Sequence, residues 1–311
     1  MAVVAIAGGA RSIGRAVLEG IQERGTATPI VLSRKYSKET EQELRARLIA
    51  ADYDDVASLA KLLEVNNVDT VISGLDGFTG GNSEINLIRA AELSSVTTRF
   101  IPSVWGCRYG PDKSSFPLAI PKIASEKELE KTSLEWTAVC IGFFLDYFGL
   151  PKVKSHVAHF TMVLDIGAAK AAIPGSGNVP GVFTYTQDIG KFVAALLTLP
   201  KWEKESYIVG EKITWNEFLK LAKDVRGTKF DVTYDSMEMI KSGKVTELPG
   251  HVPAYGLYPK EQVQVMLAGF ELLFAEGYLD FKPKETLNDL FPDIHAVSAK
   301  EMLEMGWKSQ D

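Results

Sequence analysis

Residues 6–14 read IAGGARSIG and link a predicted strand to a predicted helix. The strand, residues 2–7, is apolar without polar alternation, which is typical of a strand covered on both faces. The helix, residues 13–24, carries apolar side chains at helical spacing. In this context a glycine-rich turn leaves the free N–H groups and the positive dipole end of a helix available to a pyrophosphate. The stretch therefore predicts a dinucleotide-binding turn at the start of the chain.

Three positions in this turn have distinct expected roles. Gly8 permits the sharp turn, and Gly14 lets the helix approach the sheet closely. Arg11 stands where the usual motif has its middle glycine, so a bulky cation lies where the backbone should approach the phosphates; its guanidinium could instead pair with a phosphate. The alternative is an ordinary glycine-rich turn, but the position at the chain start favours a cofactor. The candidate pyrophosphate-binding residues are Gly8, Gly9, Ala10, Arg11, Ser12, Ile13 and Gly14.

Strand-like and helix-like segments alternate over the first 142 residues. This rhythm is typical of βαβ units, so we expect an α/β class with a doubly wound parallel sheet. After residue 142 the rhythm changes. Residues 1–142 are predicted to form the dinucleotide-binding domain, with core elements recurring around 181–210, and residues 143–311 a smaller α/β substrate-binding lobe. The predicted strands of the first part are residues 2–7, 29–32, 68–73, 99–102 and 136–141, and the predicted helices are residues 13–24, 39–48, 55–64, 82–93 and 123–131.

The composition restricts the classes of function. The 311 residues include 34 Lys and Arg against 40 Asp and Glu, a net charge of −6, which argues against nucleic-acid binding as the main activity. Cys107 and Cys140 lack CxxC spacing, which suits a reducing compartment and excludes a zinc site built from cysteines. With only four histidines, we expect no dedicated transition-metal centre. No run approaches the roughly 20 apolar residues of a membrane span, and no targeting segment is visible. We expect a cytoplasmic monomer or homodimer that binds a small molecule and no metal, membrane or nucleic acid.

The end of the second predicted strand distinguishes between the two nicotinamide cofactors. An NAD-dependent protein usually places Asp or Glu about 20 residues after the glycines, where it accepts from the ribose 2′-OH. Here the chain reads Ser33-Arg34-Lys35, without a carboxylate, and Arg34 could bind a 2′-phosphate with its two neighbours assisting. The alternative is a solvated basic turn; at this location the sequence favours NADPH over NADH. Further candidates along the cofactor are Asp52 and Tyr53, beside the adenine, and Ser73, Gly74 and Leu75.

Further motifs follow the glycine turn and Ser33-Arg34 in a fixed order. They are VDTVIS at 68–73, RFIPSVWG at 99–106, Lys122, Trp136-Thr137, FLDYF at 144–148 and Asp188-Ile189-Gly190. This order and spacing resemble the NmrA-like and isoflavone-reductase-like atypical short-chain dehydrogenases. The resemblance implies a Rossmann-type fold, NADPH as cofactor, Pro102 and Ser103 as cofactor contacts, and Lys122 as a catalytic and cofactor-binding residue. Two departures are Arg11 and Val104-Trp105, the latter replacing Glu-Phe beside the nicotinamide.

Lys122 is the residue on which the chemistry implied by the resemblance depends. That chemistry is hydride transfer from NADPH to a small conjugated or aromatic molecule. A lysine that points into a half-buried apolar pocket loses hydration, so its pKa should fall; it could then donate a proton, relay one or anchor the ribose hydroxyls. The alternative is a solvated lysine at the start of a helix, which is commoner for this residue type. The family-like spacing from Lys122 to Thr137 favours the site.

An aromatic segment follows the strand after the Lys122 helix. Ligands of open α/β sheets bind at the carboxyl ends of strands. Phe143, Phe144, Tyr147 and Phe148 are therefore candidates to line an aromatic substrate site, with Trp105 opposite them. Core packing is the alternative for each ring.

Tyr109 and Lys113 have the Tyr-x-x-x-Lys spacing of the commonest short-chain dehydrogenases. Gly110 and Pro111 lie between them and disfavour the helix that would bring both side chains onto one face. We interpret this segment as a loop without that catalytic pair.

Three functions are compatible with these residues. The first is an NADPH-dependent reductase of a small conjugated or aromatic substrate, such as an enone, quinone, imine or phenylpropanoid, in specialised metabolism. The second is a redox-sensing regulator resembling NmrA, which binds the dinucleotide without turnover. The third is a non-redox cyclase or isomerase on the same fold. Lys122 favours the reductase, whereas Arg11 and the altered pocket leave room for the regulator.

Overall fold

The computed structural model describes residues 1–75, 82–110, 117 and 119–308, and the chain forms two compact units. The first change of unit lies two residues before the predicted boundary, and the chain rejoins unit 1 inside the predicted 181–210 region. A second return to unit 1 near the end has no counterpart in the sequence prediction. Unit 1 comprises residues 1–140, 186–208 and 285–295, and unit 2 comprises residues 141–185, 209–284 and 296–311.

Strands and helices alternate through residue 140. The strands are β1 (Ala2–Ala7), β2 (Ala27–Ser33), β3 (Arg47–Ala50), β4 (Val68–Ser73), β5 (Arg99–Ile101), β6 (Glu135–Trp136) and β7 (Ala138–Cys140). The helices are α1 (Ser12–Arg24), α2 (Lys38–Leu44), α3 (Val56–Val65), α4 (Ser83–Leu93) and α5 (Ala119–Leu129). Six strands form one parallel sheet in the order β3-β2-β1-β4-β5-β6. This order is that of the doubly wound Rossmann-type sheet, and the predicted fold class is confirmed.

The strand register brings the carboxyl ends of the three central strands to one edge. Ala7, the last residue of β1, pairs with Leu32 of β2 on one side and with Ser73 of β4 on the other. The strand order reverses between β1 and β4, and ligands of such sheets bind outside the strand ends at this point. The segments that follow β1, β2 and β4 therefore meet at the edge where the sequence predicts a cofactor.

The remaining elements follow β7 in the chain. In chain order they are β8 (Phe143–Phe144), β9 (Leu164–Asp165), β10 (Lys170–Pro174), β11 (Pro180–Thr184), α6 (Thr186–Leu196), β12 (Glu205–Tyr207), β13 (Glu211–Thr214), α7 (Trp215–Arg226), β14 (Asp231–Asp235), α8 (Met237–Lys241), α9 (Lys260–Ala275), α10 (Leu287–Leu290) and α11 (Ala299–Trp307). Short 3-10 helices cover Leu145–Phe148 and Pro249–Gly256. In unit 1, α6 packs on α1 and β12 pairs with β7.

Unit 2 is built around an aromatic core. Its strands form two three-stranded sheets, in the orders β14-β10-β9 and β13-β11-β8. The ring of Phe183 lies 5.1 to 5.9 Å, between centroids, from the rings of Phe148, Trp215, Phe218 and Phe274. Within the described residues, no helix combines the length and apolarity needed to cross a membrane.

Two predicted elements have different bounds in the structure. The predicted strand 136–141 is interrupted at Thr137, because β6 completes the six-stranded sheet whereas β7 pairs with the distant β12. The predicted helix 39–48 ends at Leu44, because Arg45 adopts a left-handed φ of 51° and Arg47 begins β3. Both differences arise where a long-range strand pairing competes with local helical or strand preference.

Glu271, in α9, is a fully buried carboxyl, and neither of its oxygens has a hydrogen-bond partner among the described residues. Burial, and then the charge of Asp235, raise the pKa of Glu271 well above its ordinary value. Because the pKa of Glu271 is higher in the folded protein than in the unfolded chain, the free energy of unfolding is greatest below the unfolded-state pKa. It decreases as the pH rises from that value toward the folded-state pKa.

We expect Glu271→Met to raise the free energy of unfolding by on the order of 1–3 kcal/mol at about pH 8, and by less at about pH 5. Urea unfolding at both pH values measures the difference. Glu261→Met, at an exposed position of the same helix, is the control, and its effect should not depend on pH. An equal gain from Glu271→Met at both pH values would contradict the expectation.

Candidate functional site

The glycine turn after β1 lies tightly against the ends of β2 and β4. Gly8 has a left-handed φ of 77°, and a Cβ at this position would lie 2.7 Å from the carbonyl oxygen of Gly74. Its N–H donates to the Leu32 carbonyl at 3.2 Å, and the Gly74 N–H donates to the Ala7 carbonyl at 2.8 Å. A Cβ on Gly14 would lie 2.5 Å from the Gly8 carbonyl oxygen. Both glycines are therefore required by the backbone itself.

The first turn of α1 is open to an anion. Arg11, at the N-cap, has an extended backbone and an exposed side chain, and no described side chain caps the helix. The first turn contains no acidic residue. Ser12 has a left-handed φ of 50°, and Gly9 and Ile13 are buried beneath the turn, with Ala10 partly exposed. Uncapped N–H groups at the positive end of a helix dipole suit a phosphate group.

The predicted 2′-phosphate residues follow β2 at the same edge of the sheet. Ser33 is partly buried, whereas Arg34 and Lys35 are exposed. Arg34 makes no hydrogen bond or ion pair with the residues that the structure describes. A cation that makes no hydrogen bond or ion pair with the described residues is available to a ligand phosphate.

The two residues predicted to flank the adenine differ in accessibility. Asp52 is exposed, and its carboxylate accepts the N–H of Asp54 at 3.0 Å. Tyr53 is buried in the sheet core, where its hydroxyl donates to the Leu32 carbonyl at 3.3 Å. Burial raises the pKa of Tyr53, and the charge of Arg34 opposes this shift. The Tyr53 side chain therefore packs beneath the edge, and of the two residues only Asp52 exposes its side chain there.

Hydrogen bonds join the loops that follow β4 and β5. The Ser103 hydroxyl donates to the Leu75 carbonyl at 2.8 Å, and the Trp105 indole N–H donates to the Ser73 carbonyl at 2.8 Å. Pro102 is buried at the end of β5. Trp105 is 8% exposed with a left-handed φ of 31°, so the indole predicted to face a substrate is folded against β4 instead of projecting freely.

Lys122 lies in the first turn of α5. The prediction that the helix starts at residue 123 is wrong, because α5 begins at Ala119. The Lys122 amine donates to the Val104 carbonyl oxygen, and the side chain is partly buried. Burial lowers the pKa of Lys122 below its ordinary value, while the nearby Cys107 and Glu84 act in the opposite direction. A lowered pKa moves the amine toward the range useful for proton transfer.

The aromatic candidates belong to unit 2 and differ in burial. Phe143 is buried, and its ring lies 5.3 Å from that of Tyr147 and 5.6 Å from that of Phe270, between centroids. Phe144 and Tyr147 are partly buried, whereas Phe148 belongs to the core around Phe183. Phe148 therefore packs as core, and Phe144 and Tyr147 keep surface that a ligand could contact.

The surroundings of Lys122 contain residues that sequence reasoning missed. Glu84 accepts the Ser103 N–H at 2.6 Å and the Ser125 hydroxyl at 2.7 Å. The Arg108 guanidinium forms ion pairs with two carboxylates, with N–O distances of 2.6 Å to Glu126 and 2.7 Å to Glu205. The bonded partners are 18 to 97 residues apart in the chain, so no local pattern pointed to them.

Only Tyr109 and Gly110 of the Tyr109–Lys113 segment lie within the described residues. Tyr109 lies in a segment without helical structure, and Lys113 lies outside the described residues. Among the described residues, no group of three or more His, Cys, Asp or Glu side chains could hold a metal ion.

The chain is similar to known oxidoreductases in sequence and to known reductases in fold. The chain is 36% identical over 301 residues to "Oxidoreductase BOA1" of Botryotinia fuckeliana. The aligned region covers 94% of this chain and 96% of that protein. Its fold matches the leucoanthocyanidin reductase–NADPH complex of Vitis vinifera with a TM-score of 0.76 at 18% identity, over 97% of this chain and 98% of that one. It matches "AtPrR2 with NADP+ and (+)pinoresinol" with a TM-score of 0.74 at 22% identity, over 98% of both chains.

The family model named "NmrA-like family" matches residues 1–304, nearly the whole chain. The resemblance predicted from the motif order is therefore confirmed: this chain belongs to the NmrA-like family.

Proposed function

We propose that this NADP-dependent oxidoreductase of the NmrA-like family transfers a hydride from NADPH to a small conjugated or aromatic substrate, with Lys122 as the catalytic residue. The relative from Botryotinia fuckeliana is named an oxidoreductase, and the structural neighbours include reductases in complex with NADPH or NADP+. The pinoresinol in one of those complexes supports an aromatic substrate class. We also propose that the protein acts in specialised metabolism and that it is cytoplasmic. The free, buried thiols of Cys107 and Cys140 suit a reducing compartment such as the cytoplasm.

One observation carries the proposal: contacts run without a break from the glycine turn to Lys122. Gly8 packs on Gly74, whose neighbour Leu75 accepts the hydrogen bond of Ser103. The residue after Ser103 is Val104, whose carbonyl oxygen accepts the Lys122 amine. A cofactor whose pyrophosphate lies on α1 would thus run along the strand ends toward Lys122, as in other open α/β sheets.

The residues of this chain fit such a cofactor. The open first turn of α1 can hold the pyrophosphate. Gly8 and Gly14 allow the close backbone contacts that give the turn its shape, because a Cβ at either position would meet backbone atoms within 3 Å. Arg34 and Lys35 can hold the 2′-phosphate. NADPH, when bound, supplies the hydride. Lys122 can hold a proton near the reacting atoms and anchor the ribose hydroxyls.

Arg34 provides the test of cofactor choice. We expect Arg34→Ala to weaken NADPH binding by about 10-fold, because a charge-assisted hydrogen bond to phosphate is lost, and to leave NADH binding unchanged. Isothermal titration with each cofactor measures both affinities. Lys61→Ala, at an exposed position on α3, is the charge-matched control. Equal losses for NADPH and NADH, or no loss, would contradict the assignment of Arg34 to the 2′-phosphate.

A further inference from the structure

Glu84 joins three segments around Lys122. The residue lies on α4 and is partly buried. One carboxylate oxygen accepts the N–H of Ser103, and the other accepts the hydroxyl of Ser125. Ser103 directly precedes the carbonyl group that receives the Lys122 amine, and Ser125 lies one helical turn after Lys122 on α5. The single carboxylate therefore connects both sides of the Val104–Lys122 hydrogen bond.

Glu84 also differs in charge from the other groups around Lys122. The other groups whose charge would act on Lys122 are Cys107, Cys140 and Glu126. Burial raises the pKa of Cys107 to about 11 and that of Cys140 still further, so both thiols are neutral near pH 7. Glu126 is neutralised by Arg108 at 2.6 Å. Within the described residues the hydrogen-bond partners of Glu84 are neutral donors, and its charge favours the protonated form of Lys122.

We propose that Glu84 is the positioning residue of the site: its carboxylate fixes the loop after β5 and the first turns of α5 so that the Lys122 amine is held against the Val104 carbonyl, and it stabilises the protonated amine. This inference rests on the proposed role of Lys122. Within the described residues, the Lys122 amine is hydrogen-bonded to the Val104 carbonyl and Glu84 to Ser103 and Ser125, so no hydrogen bond joins Glu84 to the amine directly. Its effect is transmitted through Ser103 and Ser125, and through its charge.

The first experiment does not depend on turnover. The Lys122 amine is trace-labelled with acetic anhydride over a range of pH, and the labelled peptide is quantified by mass spectrometry. We expect Glu84→Gln to move the labelling midpoint of Lys122 to lower pH, because the amide keeps the shape but removes the charge that favours the ammonium form. Glu128→Ala is the matched control, since Glu128 also links α4 and α5, through Arg89 at 2.6 Å, and should leave the midpoint unchanged.

The second experiment measures turnover with NADPH and two probes, the quinone menadione and the enone benzylideneacetone. We expect Glu84→Ala to lower kcat by up to about 100-fold, because a small misplacement of a reacting group is costly, while NADPH affinity stays within about twofold. Glu84→Gln should restore most of this kcat and shift the pH profile in the direction of the labelling midpoint. Glu128→Ala should keep both parameters.

Specific outcomes separate this inference from the proposed function. Unchanged kcat in Glu84→Ala, or equal losses in Glu84→Ala and Glu128→Ala, would overturn the positioning role, since the second outcome means a general loosening of α4 against α5. An unchanged labelling midpoint in Glu84→Gln would overturn the electrostatic role. If the midpoint shifts while loss of the Lys122 amine leaves turnover intact, the link between Glu84 and Lys122 stands and the proposed catalytic function fails.

Discussion

Lys122→Met is expected to lower kcat for NADPH-dependent reduction by roughly 100-fold to 10,000-fold, the usual contribution of a positioned proton donor. Methionine reaches as far as the lysine Cε but lacks the amine, so it cannot donate to the Val104 carbonyl or to a substrate. NADPH should still bind, within about tenfold of the wild-type affinity, because the pyrophosphate and 2′-phosphate contacts lie on α1 and after β2. Loss of NADPH absorbance with menadione or benzylideneacetone measures the rate, and calorimetry measures the affinity.

The pH dependence gives an independent check on this assignment. Burial lowers the pKa of Lys122, so the fraction of protonated amine falls at a lower pH than for an ordinary lysine. If the protonated amine donates to the substrate, kcat should decline above this lowered pKa, and the decline should be absent from the residual rate of Lys122→Met.

Lys127→Met, at an exposed position on the same helix, is the matched control and should retain wild-type kcat. Full activity in Lys122→Met would remove Lys122 from the chemistry. NADPH binding without consumption of the cofactor, across quinones, enones and imines, would instead favour a dinucleotide-binding regulator or a non-redox enzyme on this fold.

The parallel sheet was predictable because its strands are short apolar runs of local sequence. The last four residues of β1 and five of the six residues of β4 are buried, so these strands lack a regular alternation of buried and exposed residues and are distinguishable from the helices between them. The glycine turn was predictable because only glycine avoids a clash with the backbone at positions 8 and 14. Such positions recur at a fixed spacing in the sequence. Arg34 was found by its distance from the glycines, and Lys122 by the order and spacing of motifs that resemble the family.

The rest depends on contacts between residues that are distant in sequence. In unit 2, β10 pairs with β9 on one side and, on the other, with β14, whose Asp231 is 61 residues after Lys170 of β10. No local pattern predicted β9 or β10. Trp105 was assigned to a substrate from its place after β5, but its indole hydrogen-bonds to the end of β4. Glu84 looks like an ordinary polar residue of an amphipathic helix, and only the fold brings its carboxylate to Ser103 and Ser125.

Gly14→Ala is expected to lower the free energy of unfolding by about 2–3 kcal/mol, because the new methyl group would overlap the backbone rather than a flexible side chain. Its Cβ would lie 2.5 Å from the carbonyl oxygen of Gly8 and 2.9 Å from the carbonyl carbon, so either the turn or α1 must move. That movement also displaces the N–H groups that would hold the pyrophosphate. Losing about 2 kcal/mol of charge-assisted hydrogen bonding there corresponds to roughly 30-fold weaker NADPH binding.

Urea unfolding measures the first effect of Gly14→Ala, and calorimetric titration with NADPH measures the second. Gly256→Ala is the control, because a Cβ there meets nothing within 4 Å and its φ is outside the left-handed region. The loss of NADPH affinity is the effect that tests the proposed site. If Gly14→Ala is destabilised but binds NADPH as tightly as the wild type, the turn contributes to packing alone. A loss of affinity that persists well below the unfolding transition ties the geometry of residues 8–14 to the cofactor.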